Sequence, residues 1–232
     1  MTNLRIKTIC DCVDKTVVAE IGADHGYITK QLFEEKKIEF AYLTDISKKC
    51  LQKAVDNFNT PTLKDKIMFC VGDGLNALQQ KNVWINNSNK KDINPQQIII
   101  AGMGGNEIIK ILSEDTSYNY TNFVLQPQRN AVELRLFLLD NNFEIISDTM
   151  VKEGKIFYNI IKTQKSNVKT SLTQDELLFG KTNLQTNNPF FKQYLSYEKE
   201  KLLNIYQNKP LADIEEKIKK IDEIMLKTHK GE

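Results

Sequence analysis

Carboxylate side chains stand at or just after the carboxyl ends of the first three predicted strands. They are Glu20, Asp24, Asp45 and Asp73. Grouped negative charge repels phosphate groups and favours a ligand that carries positive charge and hydroxyl groups. S-adenosylmethionine has a sulfonium, an ammonium and a ribose diol, and it has no phosphate. The four residues therefore predict a pocket for this cofactor.

The loop after the first predicted strand contains Gly22, Asp24, His25 and Gly26. It differs from the dinucleotide fingerprint G-x-G-x-x-G because the third glycine is missing and Asp24 stands where a pyrophosphate would contact backbone amides. We interpret these residues, together with Glu20, as part of the cofactor pocket. For His25 the alternative is a structural histidine that orients the loop, and a pocket role is favoured over a general base.

Residues after the second and third predicted strands complete this pocket. Asp45 is placed to accept hydrogen bonds from both ribose hydroxyls, with Ile46 beside it, as the acidic residue after the second strand does in nucleotide-binding α/β folds. Asp73 and Gly74 would meet the adenine, with the carboxylate accepting from the exocyclic amine and Leu75 covering one face. An aspartate after a strand is also a common helix cap or turn former, so this alternative stays open for Asp45 and Asp73 taken singly.

Strands and helices alternate along residues 1–165, which predicts a parallel, doubly wound α/β sheet of the Rossmann-like type. The predicted strands are residues 17–21, 40–44, 67–71, 98–101 and 123–126, followed by a hairpin of residues 143–151 and 156–162. The predicted helices are residues 27–37, 47–58, 106–112 and 131–139. Ligands of such sheets lie beyond the carboxyl ends of the strands, so the loops there should carry the chemistry. The terminal hairpin favours a methyltransferase sheet over a plain dinucleotide fold.

Two further segments depart from this alternation. The asparagine- and lysine-rich residues 81–95 predict a solvated insertion, with a functional loop as the alternative. Residues 165–173 are rich in Ser, Thr, Asn and Lys and predict a linker. This linker divides the chain into a domain of residues 1–165 and a C-terminal part of residues 166–232.

Apolar residues in the C-terminal part recur at heptad-like spacing on both sides of a break at residues 208–210. They are Phe191, Leu195, Leu202 and Ile205 before the break, and Leu211, Ile214, Ile218, Ile221 and Met225 after it. The pattern predicts an antiparallel, coiled-coil-like helical hairpin. Its apolar stripe is either a small helical core or a docking surface for a macromolecular substrate or a second subunit.

The composition is that of an ordinary globular protein. The chain has 232 residues, 32 Lys and Arg against 30 Asp and Glu, a formal net charge of +2 and 41% hydrophobic residues. These values exclude the disordered, collagen and membrane classes, and the N-terminus lacks the apolar core of a signal peptide, so we expect a cytoplasmic protein. The small net charge alone does not argue for a nucleic-acid partner. The four cysteines and two histidines lack zinc-ligand spacing, so no metal is expected.

Three blocks of the sequence resemble the signatures of the bacterial tRNA (adenine-22-N1)-methyltransferase family. They are Gly-Ala-Asp-His-Gly-Tyr at residues 22–27, Ile-Ala-Gly-Met-Gly-Gly at residues 100–105 and Leu-Gln-Pro-Gln at residues 125–128. The resemblance covers the whole chain in order, with Ala23 as a departure from an expected Ser or Thr. It implies a class I methyltransferase domain followed by a helical hairpin, and an activity that methylates N1 of adenine 22. The implied partner is tRNA, the product of the cofactor is S-adenosylhomocysteine, and we expect a monomer.

The resemblance places the methyl transfer at the blocks after the fourth and fifth strands. Adenine N1 presents an in-plane lone pair, so no proton need leave before transfer and no strong general base is required. Alignment of the reactants and exclusion of water can then supply much of the acceleration. The residues assigned to this step are Met103, Gly104, Gln126 and Pro127, and Ala101 and Gly102 are assigned to the cofactor. For the glycines, a tight turn that needs positive φ is an alternative compatible with this role.

Four basic residues are expected to contact tRNA phosphates, namely Arg5, Lys7, Arg129 and Arg135. For each of them alone, a solvated surface position is at least as good an interpretation. Two other functions stay open from the sequence. One is a non-catalytic RNA- or partner-binding module on a methyltransferase fold, and the other is a methyltransferase that acts on a small molecule or a protein.

Overall fold

The computed structural model describes residues 3–79, 82–86, 94–114 and 119–229. The strands are β1 (Val17–Ile21), β2 (Phe40–Asp45), β3 (Ile67–Val71), β4 (Val83–Asn86), β5 (Gln97–Met103), β6 (Asn122–Pro127), β7 (Phe143–Glu153) and β8 (Ile156–Lys165). The helices are α1 (Leu4–Asp11), α2 (Tyr27–Glu34), α3 (Lys48–Phe58), α4 (Gly105–Leu112), α5 (Ala131–Asp140), α6 (Gln174–Phe179), α7 (Lys181–Gln185), α8 (Pro189–Asn208) and α9 (Ala212–His229). Short 3-10 turns occur at Lys64–Lys66 and Gly74–Leu78.

The strands form one sheet in the order β4-β3-β2-β1-β5-β6-β8-β7. β1 pairs in parallel with β2 on one side and β5 on the other, whereas β4 and β8 run antiparallel to β3 and β6. The strand order therefore reverses between β1 and β5, and such a switch point leaves a crevice beyond the carboxyl ends of the strands. The predicted doubly wound sheet with a terminal hairpin is confirmed.

Two helical layers cover the two faces of the sheet. Leu32 of α2 and Phe58 of α3 pack on one face, and Ile108 of α4 and Leu134 of α5 pack on the other. A parallel sheet that is covered on both faces has strands that are nearly continuous apolar runs. Every residue of β1 is accordingly buried, Glu20 included. This packing holds the loops at the carboxyl ends of the strands in place.

The sequence prediction lacks α1, β4, α6 and α7, which the structure contains. The helix α1 begins after Asn3, whose side-chain oxygen accepts from the Ile6 N–H at 2.9 Å. The strand β4 shows that the predicted solvated insertion is wrong for Val83–Asn86. This strand pairs with β3, and the Lys48 ammonium lies 4.6 Å from the centre of the Trp84 ring. Residues 80–81 and 87–93 lie outside the described part of the chain.

The helices α8 and α9 form the predicted antiparallel hairpin. The Lys199 ammonium lies 2.6 Å from the Asp222 carboxylate, and the Tyr206 hydroxyl lies 3.4 Å from the Glu215 carboxylate. Glu215, near the start of α9, thus contacts the end of α8, and Asp222, later in α9, contacts an earlier part of α8. The two helices therefore run in opposite directions.

The base of the hairpin packs on the sheet. One buried cluster contains Met150 of β7, Phe191 and Leu195 of α8, and Ile221 and Ile224 of α9. At this end the apolar stripe is a small helical core, whereas Ile205 and Leu211 near the tip are 43% and 40% exposed.

The boundary between residues 165 and 166 stays a prediction. In the described part of the chain, no helix combines the length and apolar character needed to cross a membrane.

Candidate functional site

A cavity of about 350 Å³ opens at the switch point, beyond the carboxyl ends of β1, β2, β3 and β5. The predicted site residues in its lining are Gly22, Asp45, Ile46, Asp73, Gly74, Gly102 and Met103. Thr44, Glu107, Lys110 and Ile111 also line the cavity and are absent from the sequence prediction. The topology thus brings residues from distant parts of the chain into one wall, as expected at the carboxyl edge of such a sheet.

Gly22 and Met103 meet in the wall of this cavity. Gly22 has a φ of +70°, which residues with a side chain rarely adopt, and a Cβ there would overlap the Met103 Cε. The next residue fastens the loop to β2, because the Ala23 N–H donates to the Thr44 carbonyl at 2.8 Å. Only glycine therefore allows the loop after β1 to lie this close to the methionine.

Two of the four predicted carboxylates face the cavity. Asp45 accepts a hydrogen bond from the Ser47 N–H at 2.8 Å, and the Ser47 hydroxyl caps α3 by accepting from the Cys50 N–H at 3.3 Å. One carboxylate oxygen of Asp45 therefore stabilises the turn before α3, which is the turn-forming role that stayed open from the sequence. Asp45 also lines the cavity. The exposed carboxylate of Asp73 lies 3.7 Å from the Lys110 ammonium.

Glu20 differs from Asp45 and Asp73 in its surroundings. It is 4% exposed and is not part of the cavity lining in the described chain. Its carboxylate accepts from the Thr29 N–H at 3.1 Å and from the Thr29 hydroxyl at 2.6 Å, which ties β1 to the start of α2. Burial raises the pKa of Glu20 to about 7, although the Thr29 hydrogen bonds and the charge of Arg5 lower it. Glu20 therefore joins β1 to α2. Its contact with a cofactor stays a prediction.

Asp24 and His25, in the loop after β1, contact residues of α3 and α2. The Lys53 ammonium donates to the Asp24 carboxylate at 2.8 Å. The His25 ring stacks on the Tyr27 ring with centroids 5.0 Å apart, and the His25 carbonyl accepts from the Asn57 amide at 3.0 Å. Neither residue is among those that line the cavity in the described chain. Their contacts with a cofactor stay predictions.

Gly26, Leu75 and Ala101 support the cavity without contributing to its described lining. Gly26 has a φ of +67° at the start of α2, and a Cβ there would lie 2.6 Å from the Leu43 side chain. Leu75 is 4% exposed within the apolar cluster on one face of the sheet. Ala101 is half-buried against the cluster on the other face. The predicted cover of an adenine by Leu75 stays a prediction.

The loop that carries Met103 is held from the side by the chain after β6. The pairing of β5 with β6 shifts register between Ala101 and Met103, and Gly102 between them has a φ of +79°. The Gln128 N–H then donates to the Met103 carbonyl at 2.8 Å. A bulge of this kind redirects a side chain next to a strand end. Met103 is thereby turned over the loop after β1.

The following two glycines complete the attachment. The Gly104 N–H donates to the Glu107 carboxylate at 2.6 Å, which caps the start of α4. The Gly105 N–H donates to the Arg129 carbonyl at 2.8 Å, and a Cβ at Gly105 would overlap the carbonyl of Asn130. The two blocks that the resemblance assigns to methyl transfer therefore form one tightly bonded unit.

Gln126 is fully buried at the end of β6. Its side-chain oxygen accepts from the Arg5 guanidinium at 2.8 Å and from the Gly102 N–H at 3.3 Å. Its amide nitrogen, Nε2, has no hydrogen-bond partner among the described residues. Pro127 is buried and lies opposite Met103 in the pairing of β5 with β6. Gln126 and Pro127 therefore both contact the strand end that carries Met103.

Residues of α4 form a wall of the cavity that the sequence prediction lacks. Glu107, Lys110 and Ile111 line the cavity. Glu114, just after α4, accepts from the Asn76 N–H at 3.1 Å and from its side-chain amide at 3.0 Å, and burial raises the pKa of this carboxyl. The spacing of 107, 110, 111 and 114 places all four residues on one face of a helix, and this signal could have identified them.

The residues present fit S-adenosylmethionine. Asp45 and Asp73 supply negative charge at the edge of the cavity, and Gly102 leaves open space at its Cβ position, where the nearest atom is the Gln128 Nε2 at 3.9 Å. Thr44 lines the cavity, and its buried hydroxyl has no partner among the described residues. A buried hydroxyl without a partner is expected to bond to a ligand or to water. Within the described chain, no group of three or more His, Cys, Asp or Glu could hold a metal ion.

Arg135 is a correction to the predicted phosphate contacts. Its side chain is 1% exposed and binds the Asp148 carboxylate through Nε at 2.5 Å and Nη2 at 3.1 Å. Nη1 donates to the Leu177 carbonyl at 2.9 Å. A guanidinium whose donors are used inside the protein cannot reach a phosphate of a bound RNA.

The other three basic residues occupy different environments. Lys7 pairs with Asp11 and, at 4.0 Å, with Glu35, and it is not among the residues that line the cavity in the described chain. Arg5 reaches the site itself through Gln126. Arg129 is exposed, and its Nε would lie 3.2 Å from a Cβ at Gly104. Arg129 is therefore the predicted phosphate contact whose position beside the site is best suited to that role.

Comparisons with known proteins bear on the same site. The family model for tRNA (adenine(22)-N(1))-methyltransferases, TrmK, matches residues 18–230. A protein of Mycoplasma genitalium that is named as a candidate tRNA methyltransferase is 32% identical over 210 residues, which is 88% of each chain.

Two solved structures share the whole fold. A candidate tRNA (m1A22) methyltransferase of Streptococcus pneumoniae, in complex with S-adenosyl-L-methionine, is 26% identical with a TM-score of 0.81 over 97% of this chain and 100% of that one. TrmK of M. capricolum, in complex with S-adenosyl-homocysteine, is 25% identical with a TM-score of 0.75 over 99% and 97%. The chain belongs to the TrmK family of tRNA (adenine(22)-N(1))-methyltransferases.

Proposed function

We propose that this chain transfers a methyl group from S-adenosylmethionine to N1 of adenine 22 in tRNA. The observation that carries the proposal is the acidic cavity at the switch point, walled by Gly22 and Met103, in a chain that belongs to this family. The non-catalytic module is disfavoured because the cavity and its carboxylates are intact. A small-molecule or protein substrate is disfavoured by the family match along residues 18–230.

The cofactor is held by the residues around the cavity. Asp45 accepts from the ribose hydroxyls, and Asp73 accepts from the adenine amine, since both carboxylates border the cavity. Gly102 leaves open space in the cavity lining for the cofactor, and Thr44, another lining residue, offers a buried hydroxyl. When bound, S-adenosylmethionine supplies an electrophilic methyl group on its sulfonium. We assign Asp24, His25 and Gly26 to the cofactor through the loop after β1, of which Gly22 lines the cavity.

The methyl transfer depends on position more than on proton movement. The lone pair of adenine N1 is free at neutral pH, so the protein need not remove a proton to make it a nucleophile. Met103, Gly104, Gln126 and Pro127 belong to one bonded unit beside the cavity. We assign to this unit the alignment of the base with the methyl group and the exclusion of water. The product carries a positive charge on the ring.

The substrate is too large for the cavity alone. We propose that residues 1–165 form the domain that binds the cofactor and performs the transfer, and that residues 166–232 contact the body of the tRNA. Arg129 is the phosphate contact nearest the methyl-transfer unit, since it is exposed beside Gly104. We further propose that the enzyme acts as a monomer in the cytoplasm.

An activity assay with an unmodified tRNA transcript and labelled S-adenosylmethionine tests this function. The wild-type chain should transfer label, and Asp45→Ala should lose most of the transfer at limiting cofactor. Asp65→Ala is the matched control, because Asp65 is an exposed carboxylate at the opposite end of β3. Equal activity of Asp45→Ala and Asp65→Ala would contradict the assignment of the cavity.

A further inference from the structure

The side chain of Arg5 is drawn inward from α1 to the end of β6. One nitrogen, Nη1, donates to the Gln126 side-chain oxygen at 2.8 Å, and Nε lies 3.7 Å from the Glu153 carboxylate. The guanidinium also lies 5.4 Å from the centre of the Tyr158 ring. The Arg5 side chain is 23% exposed. Its contacts therefore direct the charge into the protein and not outward to a phosphate.

These contacts determine the orientation of the Gln126 side-chain amide, that is, which position its oxygen and its nitrogen occupy. Arginine only donates hydrogen bonds, and the Gly102 N–H is also a donor. Both point at the same atom, so that atom must be the side-chain oxygen. A rotated amide would place two donors against an NH₂ group inside a fully buried site. The orientation of Gln126 is therefore set by Arg5 together with Gly102.

In this orientation the two N–H groups of Gln126 Nε2 are buried and have no partner among the described residues. Nε2 of Gln126 has no acceptor among the described residues, although a buried amide nitrogen without a hydrogen bond is rare and costly. Gly102, the neighbour of this amide, lines the cavity. An acceptor brought in by the substrate would satisfy the donors. On adenine this acceptor is a ring nitrogen other than N1, because a donor on N1 would occupy the lone pair that attacks the methyl group.

We propose that Arg5 is a positioning residue for methyl transfer, which holds the Gln126 amide so that Nε2 donates to the target adenine. This role rests on the proposed function and replaces the phosphate contact predicted for Arg5. Arg5 itself touches neither cofactor nor adenine. Its removal should therefore slow the transfer step and leave the binding of tRNA and cofactor nearly unchanged.

Single-turnover methylation of an unmodified tRNA transcript by the full chain separates these effects. Arg5→Ala should reduce the rate about 10- to 100-fold, and Arg5→Lys should recover part of the loss because an ammonium can still donate to the oxygen. The dissociation constant of tRNA and its dependence on salt should stay near the wild-type values. In contrast, Arg129→Ala should weaken tRNA binding and reduce the salt slope by about one.

Changes at Gln126 test the donors directly. Gln126→Glu keeps an oxygen for Arg5 and for the Gly102 N–H but has no Nε2, so its rate should fall as far as that of Gln126→Ala. Adding Arg5→Ala to Gln126→Ala should cause no further loss. Unfolding curves of the same variants check that each one folds. If Arg5→Ala does not fold, Arg5→Lys takes its place in the rate measurement.

Three results would overturn this role. They are a weaker tRNA complex with a smaller salt slope for Arg5→Ala, a wild-type rate for Gln126→Glu, or losses from Arg5→Ala and Gln126→Ala that multiply. A wild-type chain that methylates no tRNA transcript would instead overturn the proposed function, and the role of Arg5 with it. The wild-type methylation assay therefore distinguishes a failure of the proposed function from a failure of the role of Arg5 alone.

Discussion

Arg135 and Asp148 form an ion pair in the interior, with both side chains 1% exposed and two hydrogen bonds of 2.5 and 3.1 Å between them. The same guanidinium donates to the carbonyl of Leu177 in α6 and to the side chain of Asn159 in β8. One arginine thus connects α5, the terminal hairpin of the sheet and the first C-terminal helix. Its function is to attach the C-terminal helices to the sheet.

Breaking this pair should strongly destabilise the protein. Asp148→Asn leaves the guanidinium without its counter-charge, and Arg135→Met leaves a buried carboxylate, so each should lower the free energy of unfolding by about 3–5 kcal/mol. Urea unfolding of the full chain measures this loss. The double variant Arg135→Met with Asp148→Leu should be less destabilised than either single variant. Two single variants as stable as the wild type would contradict the role given to the pair.

Gly22→Ala should reduce the affinity for S-adenosylmethionine about tenfold, because the new Cβ must displace Met103 and the residue must keep a positive φ. Calorimetric titration with the cofactor measures the change. Gly154→Ala is the matched control, since Gly154 has a φ of +59° and nothing lies within 4 Å of its Cβ position. This control has the backbone strain without the overlap. Identical cofactor affinity in both variants would show that the Gly22 contact with Met103 is unimportant.

Asp45→Asn should weaken cofactor binding about 10- to 100-fold, which corresponds to the loss of a hydrogen bond to a charged group. Asparagine can still accept from the Ser47 N–H, so the turn before α3 should be retained. The dissociation constant measured by calorimetry and the unfolding midpoint together separate binding from folding. A lower midpoint with unchanged affinity would assign Asp45 to the turn alone.

Glu20 predicts a stability that depends on pH. Its pKa in the folded protein is about 7, above the ordinary value of 4.5. Between these values the folded chain binds more protons than the unfolded one, so this residue lowers the stability as the pH rises from about 5 to about 8. In Glu20→Gln the amide oxygen can still accept from Thr29, and the loss of stability with rising pH should be absent because glutamine does not ionise. The difference from wild type should grow by on the order of 2–3 kcal/mol over this range. A difference that does not vary with pH would contradict a raised pKa.

The sequence predicts the central fold because apolar runs and glycine loops are strong local signals. The prediction for β3 agrees at both ends, at Ile67 and Val71. It does not include β4, because the strand is short and lies among Asn and Lys residues. Its stability comes from pairing with β3 and from the packing of Trp84, neither of which is local.

Side-chain roles are harder to predict than strands. Glu20 and Asp45 both follow the same pattern of an acid near a strand end, yet one turns to Thr29 and the other borders the cavity. Arg135 looks like an exposed helix residue until Asp148 and α6 are placed against it. Such assignments depend on which element packs over the residue. That information becomes available only with the tertiary structure.

The proposed function is tested most directly by analysis of the nucleosides in a methylated tRNA transcript. The wild-type chain, an unmodified transcript with adenine at position 22 and S-adenosylmethionine should give 1-methyladenosine, and reverse transcription should stop at position 22. A transcript with guanine at this position should remain unmodified. Methylation at another position, N6-methyladenosine as the product, or no methylation of any transcript by a folded chain that binds the cofactor would contradict the proposed function.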